Sequence, residues 1–213
     1  MKLKAAVVVF AQPARVEGTR LARQLGAADA AMVHGRLLNR TLRHLRAGGV
    51  PVVVALAPDA TGYRDIAERA GAQIMVLPDG DPGTRLNAVL RRASSGAILI
   101  DSDTPGLDAV LVRHAAEALG LFDLVVGPNW SGGTYLIGVR APTFAFRLFE
   151  HVRWNTRHMI EDLIEGAPSH WRVGLLPVLA DAMDSASLGE LASDHAPARR
   201  RSSRLGLIEL KRR

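Results

Sequence analysis

The strongest constraint on this chain is a rhythm. Short β-branched apolar runs alternate with helix-patterned stretches through roughly the first 125 residues, at the spacing of βαβ units. The runs are residues 4–10 (KAAVVVF), 51–57 (PVVVALA), 73–77, 97–100 and 122–126. Such near-continuous runs suit an interior parallel sheet covered by helices on both faces. Between them the pattern predicts helices over 20–31, over 32–46 (an extension or a second helix), and over 63–70, 84–92 and 107–119. Gly48-Gly49, Gly71 and Gly120 stand as stops. The rhythm then breaks, because residues 126–134 join two strands (the second 134–139) without a helix. Helices over 144–150 and 156–165 and an edge strand over 171–176 follow, and 179–191 has no clear assignment. An α/β fold with a mostly parallel, mixed sheet is expected.

With 48% apolar residues in 213, the chain can build one substantial core. It has no cysteine, which excludes disulfides and cysteine-based nucleophiles or metal sites. No apolar run approaches the roughly 20 residues of a membrane helix, and no leader signature is evident, so a cytoplasmic protein is expected. The net charge of +6 is uneven. The last fifteen residues hold Arg199, Arg200, Arg201, Arg204, Lys211, Arg212 and Arg213 against Glu209 alone. Contact with nucleic acid or an anionic surface would rest on this tail only, and a solvated terminus is the plainer reading. G-x-G-x-x-G after the first strand, a P-loop, G-x-S-x-G and H-E-x-x-H are all missing, which disfavours classical dinucleotide, P-loop, α/β-hydrolase and zincin chemistry.

One strand ends in chemistry. Ile98-Leu99-Ile100 runs into Asp101-Ser102-Asp103-Thr104-Pro105-Gly106. Ligands of open α/β sheets bind beyond the carboxyl ends of the strands. Alternate residues on an extended backbone share a face, so Asp101 and Asp103 can present a pair of hard oxygen ligands for Mg²⁺ or Mn²⁺. The competing reading is a strand-to-turn junction in which one Asp caps the next helix.

Two stretches then point to a family. Gly127-Pro128-Asn129-Trp130-Ser131-Gly132-Gly133-Thr134-Tyr135-Leu136-Ile137-Gly138 resembles the "GPxxDGGYYLIG" segment of the DUF2064 family of GT-A-like proteins, and Asp101 to Leu107 resembles its "GxDxPxL". Leu148 to Thr156 resembles "LFxxIxWST". Leu175-Leu176-Pro177 with Asp184 resembles "LLPxxxDxDT", and Pro13, Gly18, Thr19, Arg20 and Leu21 resemble "KxPxxGxVKTRL". Weaker similarity links Arg85-Leu86-Asn87-Ala88 and Gly132-Gly133-Thr134 to the "GLNxA" and "GGTN" of 2-phospholactate guanylyltransferases.

The resemblance implies a GT-A-like three-layer αβα sandwich, with a single nucleotide-binding domain over 1–195 and a basic tail over 196–213. It implies a nucleotide (an NDP-sugar or an NTP) as substrate, a Mg²⁺ or Mn²⁺ ion, a small acceptor, and leaves a homodimer open. Asp103 and Arg20 are the expected catalytic pair. Arg15, Thr19, Arg20, Arg85, Asn87, Gly132, Gly133 and Thr134 are the expected nucleotide contacts, and Asp101, Asp103 and Asp184 the expected metal ligands. Trp130 and Tyr135 flank the glycines, where either could stack on an acceptor. Each of these residues has a plainer alternative: solvated arginines, polar filler at Asn87, a helix cap at Asp184, half-buried core packing for Trp130 and Tyr135, and surface or core placement for His151 and His158. The chain departs from the family where Gly18 stands for a lysine, Ser131 for the Asp of "DGGY", and only Asp184 for the closing "DxD". Three functions therefore compete: a metal-dependent glycosyltransferase-like enzyme, a nucleotidyltransferase, and a nucleotide-binding protein with a degraded site.

Overall fold

The computed structural model describes residues 5–11, 20–58, 60–93, 95–140, 148–154, 156–180 and 207–210, the side chains of Arg20 and Thr61 excepted. Its strands are β1 (Ala6–Ala11), β2 (Val52–Leu56), β3 (Gln73–Val76), β4 (Ala97–Asp101), β5 (Leu124–Pro128), β6 (Thr134–Val139), β7 (Val173–Leu175) and β8 (Ile208–Leu210). The helices are α1 (Arg20–Leu25), α2 (Ala27–Ala47), α3 (Arg64–Arg69), α4 (Pro82–Leu90), α5 (Ala109–Ala118) and α6 (Met159–Gly166). The strands form one sheet in the order β3-β2-β1-β4-β6-β5-β7-β8. Pairings β1–β2, β2–β3, β1–β4 and β5–β7 are parallel; β4–β6, β5–β6 and β7–β8 are antiparallel. The expected mixed α/β sandwich is present.

Strand alternation divides the core in two. Val7, Val9, Ile98 and Ile100 face one side, with Leu38, Leu42 and Leu45 of α2, Ala67 of α3 and Val112 and Ala115 of α5. Val8, Phe10 and Leu99 face the other, with Leu86, Val89 and Leu90 of α4, Leu163 of α6, and Leu148, Phe149 and Val152. Helices thus cover both faces, as β-branched interior strands require.

Several boundaries differ from the sequence pattern, each for a local or long-range reason. The helical pattern over 20–46 divides at Gly26, whose φ of 84° leaves the helix. Helix α4 begins at Pro82, two residues before the expected start, because Asp81 caps it and proline is tolerated in a first turn. Of the helix expected over 144–150, the described residues 148–150 form a turn. The expected edge strand at 171–176 is flanked by β5 and β8, so it is interior. Strand β8 lies inside the stretch expected as a basic tail, and Arg172 Nε meets Glu209 Oε1 at 3.1 Å across that pair. Among the described residues no helix is long and apolar enough to cross a membrane.

Candidate nucleotide site at the carboxyl edge of the sheet

Parallel strands β1, β2 and β4 end on the same edge, and antiparallel β6 begins there, since Ile100 pairs with Leu136 and Phe10 with Asp101. The Asp101–Asp103 turn and the Gly132–Thr134 loop are therefore neighbours by register. Asp101 is the last residue of β4 and is exposed. Alternation puts it on the face of Leu99, the side of α4 and Phe149. Ser102 and Asp103 already lie in a turn, so the strand period does not carry through to Asp103. The turn is held from the opposite layer, where buried Thr41 of α2 donates to the Ser102 carbonyl at 3.5 Å. Asp103 is half-buried and accepts from the Thr104 hydroxyl at 3.4 Å. Neither aspartate caps the following helix. Asp108 does, accepting from Leu111 N at 2.8 Å.

On that same face a groove of about 320 Å³ runs between α4 and the segment after β6. It is lined by Asp81, Gly83, Thr84, Asn87, Phe149, Glu150, Val152 and Trp154. The walls approach closely at Gly83, where an added Cβ would stand 2.8 Å from the Phe149 carbonyl oxygen. Asp81 closes the helix end, accepting from Thr84 N (3.1 Å) and the Thr84 hydroxyl (2.8 Å). These bonds, the hydroxyl's foremost, hold its carboxyl below the usual range. Asn87 Oδ1 is buried and accepts no hydrogen bond among the described residues. Arg85, half-buried on the first turns of α4, donates its backbone N–H to the Asp81 carbonyl.

The groove wall continues as a bridge toward the glycine loop. Arg153 grips Asp162 of α6 through its backbone N–H (2.8 Å) and through Nε and Nη2 (2.9 and 2.6 Å). The Arg153 side-chain bonds, followed by its backbone N–H, pull the Asp162 carboxyl down to about 2. Thr156 donates to the Arg153 carbonyl at 2.7 Å. At the far end of the bridge an added Cβ on Gly132 would meet Arg157 Cα at 2.8 Å, and Gly132 has φ 91°. Glycine is required there on both counts.

The loop itself is tightly bonded. Asn129 N donates to the Gly133 carbonyl, Trp130 N to the Leu179 carbonyl at 3.0 Å, and the Ser131 hydroxyl to Asn129 Oδ1 at 2.9 Å. Tyr135 is wholly buried, its hydroxyl donating to the Pro177 carbonyl at 2.9 Å, and burial pushes its phenol up. Trp130, expected to pack in the core, is instead 74% exposed. His151 is exposed, and His158 Nδ1 lies 3.3 Å from Glu161.

The structure therefore brings Asp101, Asp103, Gly132, Gly133 and Thr134 to one edge, with Arg85 and Asn87 on the helix beside it. Arg15, Thr19 and Asp184, and the Arg20 side chain, lie outside the described residues. Two carboxylates at one strand end suit a hard divalent cation. Among the described residues no three His, Cys, Asp or Glu side chains form a metal-sized group. Sequence reasoning overlooked Arg157, for which no local signal exists, and marked Phe149 and Glu150 only as part of the segment resembling "LFxxIxWST", without a site role. It also overlooked the Asp81 cap, which the Asp-Pro pair does announce.

The profile of DUF2064, described as an uncharacterized protein conserved in bacteria, matches residues 41–156. No curated protein sequence matches the chain. Solved structures do. One is a protein from Desulfovibrio desulfuricans G20 provisionally named a nucleotide-diphospho-sugar transferase, at 22% identity and TM-score 0.74 over 94% of this chain and 92% of that one. A second is Rv0371c in complex with manganese from Mycobacterium tuberculosis H37Rv, at 16% identity and TM-score 0.58 over 90% and 99%. A third is CMP:2-keto-3-deoxy-manno-octonic acid synthetase in complex with CTP, at 14% identity and TM-score 0.57 over 89% and 97%. At these identities the likeness is one of fold.

Proposed function

We propose, from the premise that the chain belongs to the DUF2064 family, that it is a metal-dependent transferase with a nucleotide donor lying across the carboxyl edge of the sheet. The observation that carries the reading is the groove on the face of Asp101, with Asn87 in its wall and the Asn87 Oδ1 a buried acceptor without a hydrogen-bond partner among the described residues. A buried polar atom left unpaired costs about 1–3 kcal/mol, which a ribose hydroxyl or a base N–H would relieve once the Asn87 side chain turns its oxygen into the groove. The nucleoside then occupies the Asn87 groove and its phosphates extend toward Asp101 and Asp103. Arg15, Thr19, Arg20 and Arg85 are the proposed phosphate contacts, guanidinium forks matching phosphate oxygens. Gly132, Gly133 and Thr134 border the acceptor. Residues 1–195 serve as one nucleotide-binding domain in this reading.

A Mg²⁺ or Mn²⁺ ion on Asp101, Asp103 and Asp184 would offset charge developing on the phosphates. The manganese complex and the CTP complex among proteins of this fold support that pairing of metal and nucleotide. The chain's own contribution is positional. The stiff end of β4 and the Thr41 contact hold the acidic turn, and the Arg153–Asp162 grip holds the groove wall.

In the first form of the reading the donor is a nucleotide sugar. The acceptor oxygen bonds to the anomeric carbon, and the nucleoside diphosphate leaves with the electron pair. The likeness of Trp154 to Thr156 to "WST" supports it. In the second, an acceptor phosphate oxygen attacks the α-phosphorus of a nucleoside triphosphate and pyrophosphate leaves; Asn87 in its groove and Thr134 after two glycines favour that form. Thermal denaturation with nucleoside triphosphates and nucleotide sugars, with and without Mn²⁺ or Mg²⁺, tests both. Ligand at 100 times its Kd adds about 2.7 kcal/mol, which raises the Tm by roughly 5–10 °C in a domain of this size. A metal-dependent shift with a nucleotide sugar is expected. A response to triphosphates alone replaces glycosyl by nucleotidyl transfer, and no response to any nucleotide overturns the reading.

A further inference from the structure

Resting on that reading, we infer that the acceptor is an anion, a small molecule bearing a phosphate or carboxylate group, received by Arg157 beside the exposed face of Trp130. The inference comes from what the glycine loop touches. The Gly132 backbone packs directly on the Arg157 backbone, so the guanidinium leaves the chain where the loop turns. Arg157 is exposed, and its one side-chain hydrogen bond among the described residues runs from Nε to His158 Nε2 at 3.3 Å. His158 in turn faces Glu161 through its other ring nitrogen at 3.3 Å. That arrangement directs Glu161 of α6 to the histidine, and among the described residues no hydrogen bond occupies the terminal nitrogens of the guanidinium, which suit a bidentate oxyanion.

The chain neighbour of Gly132 is Ser131, where the similar family segment carries an Asp. Its hydroxyl is spent on Asn129. With serine there, the residue beside Gly132 brings no carboxylate to the Arg157 side of the loop. Trp130 adds a flat surface on a backbone fixed at both ends, by Leu179 and by the Asn129–Gly133 bond. An exposed indole held on a rigid turn presents contact area at little ordering cost. The bridge from Phe149 to Arg157 thus has the nucleoside groove at one end and this cation at the other, with the acidic turn on the same edge. Donor and acceptor would meet end to end.

The test uses the full chain saturated with Mn²⁺ and with whichever nucleoside diphosphate gives the largest thermal shift, so that the donor's phosphate contacts are already filled. Inorganic phosphate and, separately, malonate are then titrated while tryptophan emission is followed; the two arms distinguish phosphate from carboxylate recognition. A saturable emission change with at least one anion is expected. Trp130→Phe should remove the change. Arg157→Gln should weaken the apparent affinity by about ten-fold or more, and Arg157→Lys by less, as loss of a charge-assisted bidentate contact predicts. Both substituted side chains are exposed, and the nucleotide-induced shift verifies that each variant is folded. No saturable response to either anion, or equal affinity in Arg157→Gln, overturns the inference while the nucleotide shift stands. Absence of the nucleotide shift itself refutes the underlying reading instead.

Discussion

Gly127→Ala should be among the most damaging single-methyl additions near the site, although Gly127 touches no expected ligand. A Cβ at Gly127 would stand 2.6 and 2.9 Å from Cε2 and Cε1 of Tyr135, where ordinary contact begins at 3.4 Å. Cζ of the ring would be nearer still, and the ring would have to withdraw by about 1 Å from a position it cannot easily leave. It is wholly buried and tethered at its far end by the bond to the Pro177 carbonyl. Overpacking costs about 1–3 kcal/mol, and stretching a buried hydrogen bond adds about 1. A loss of roughly 2–4 kcal/mol follows, or a Tm lower by about 5–15 °C. Urea denaturation of a double-mutant cycle with Tyr135→Leu isolates the cause, since the shorter side chain vacates the space. The penalty of Gly127→Ala should shrink by at least about 1 kcal/mol when Tyr135→Leu is already present. A penalty below about 0.5 kcal/mol in the wild-type background, or one equal in both, would refute the steric argument.

The remaining predictions concern the groove and the acidic turn. Asn87→Ala should raise unliganded stability, by up to about 1–3 kcal/mol, because it removes a buried amide oxygen that has no hydrogen-bond partner among the described residues, yet reduce the nucleotide-induced rise in Tm by half or more; an unchanged rise removes Asn87 from the nucleoside site. Asp81→Ala should cost about 1 kcal/mol at neutral pH by uncapping α4. The Asp81 carboxyl is held below its unfolded value, so the cap's contribution is complete above about pH 4 and lost as pH falls through the lowered native value. Denaturation curves of wild type and variant should therefore converge at acid pH, and a constant gap contradicts the assignment. Asp103→Asn should abolish the Mn²⁺-dependent part of nucleotide stabilisation while sparing the metal-free part; equal loss of both would point to a fold defect.

Much of this molecule is legible in one dimension. The β-branched runs specified β1, β2 and β4 and the alternation of layers, since buried parallel strands must be apolar on both faces. Asp101 was readable as the end of a strand, and Gly132-Gly133 as a close-approach loop, because an abrupt charge after an apolar run and paired glycines have local physical causes. The pairing of charge on Asp101 and Asp103 was less legible: alternation predicts a shared face only while the strand lasts, and β4 ends at Asp101.

What the tertiary structure alone decided is which distant segments meet. Tyr135 and Trp130 are both aromatic neighbours of the glycines, yet one is sealed under Pro177 and the other exposed. Strand β8 is a short run in a basic stretch, and becomes a strand only because β7 supplies a pairing edge. Arg157 has no motif of its own. It reaches the loop because Gly132 lacks a side chain and the Arg153–Asp162 grip fixes the bridge between. Local preference acts over a few residues, whereas the Gly132–Arg157, Tyr135–Pro177 and β7–β8 contacts join residues 25 or more apart, and chain connectivity carries no record of them until the sheet order is set.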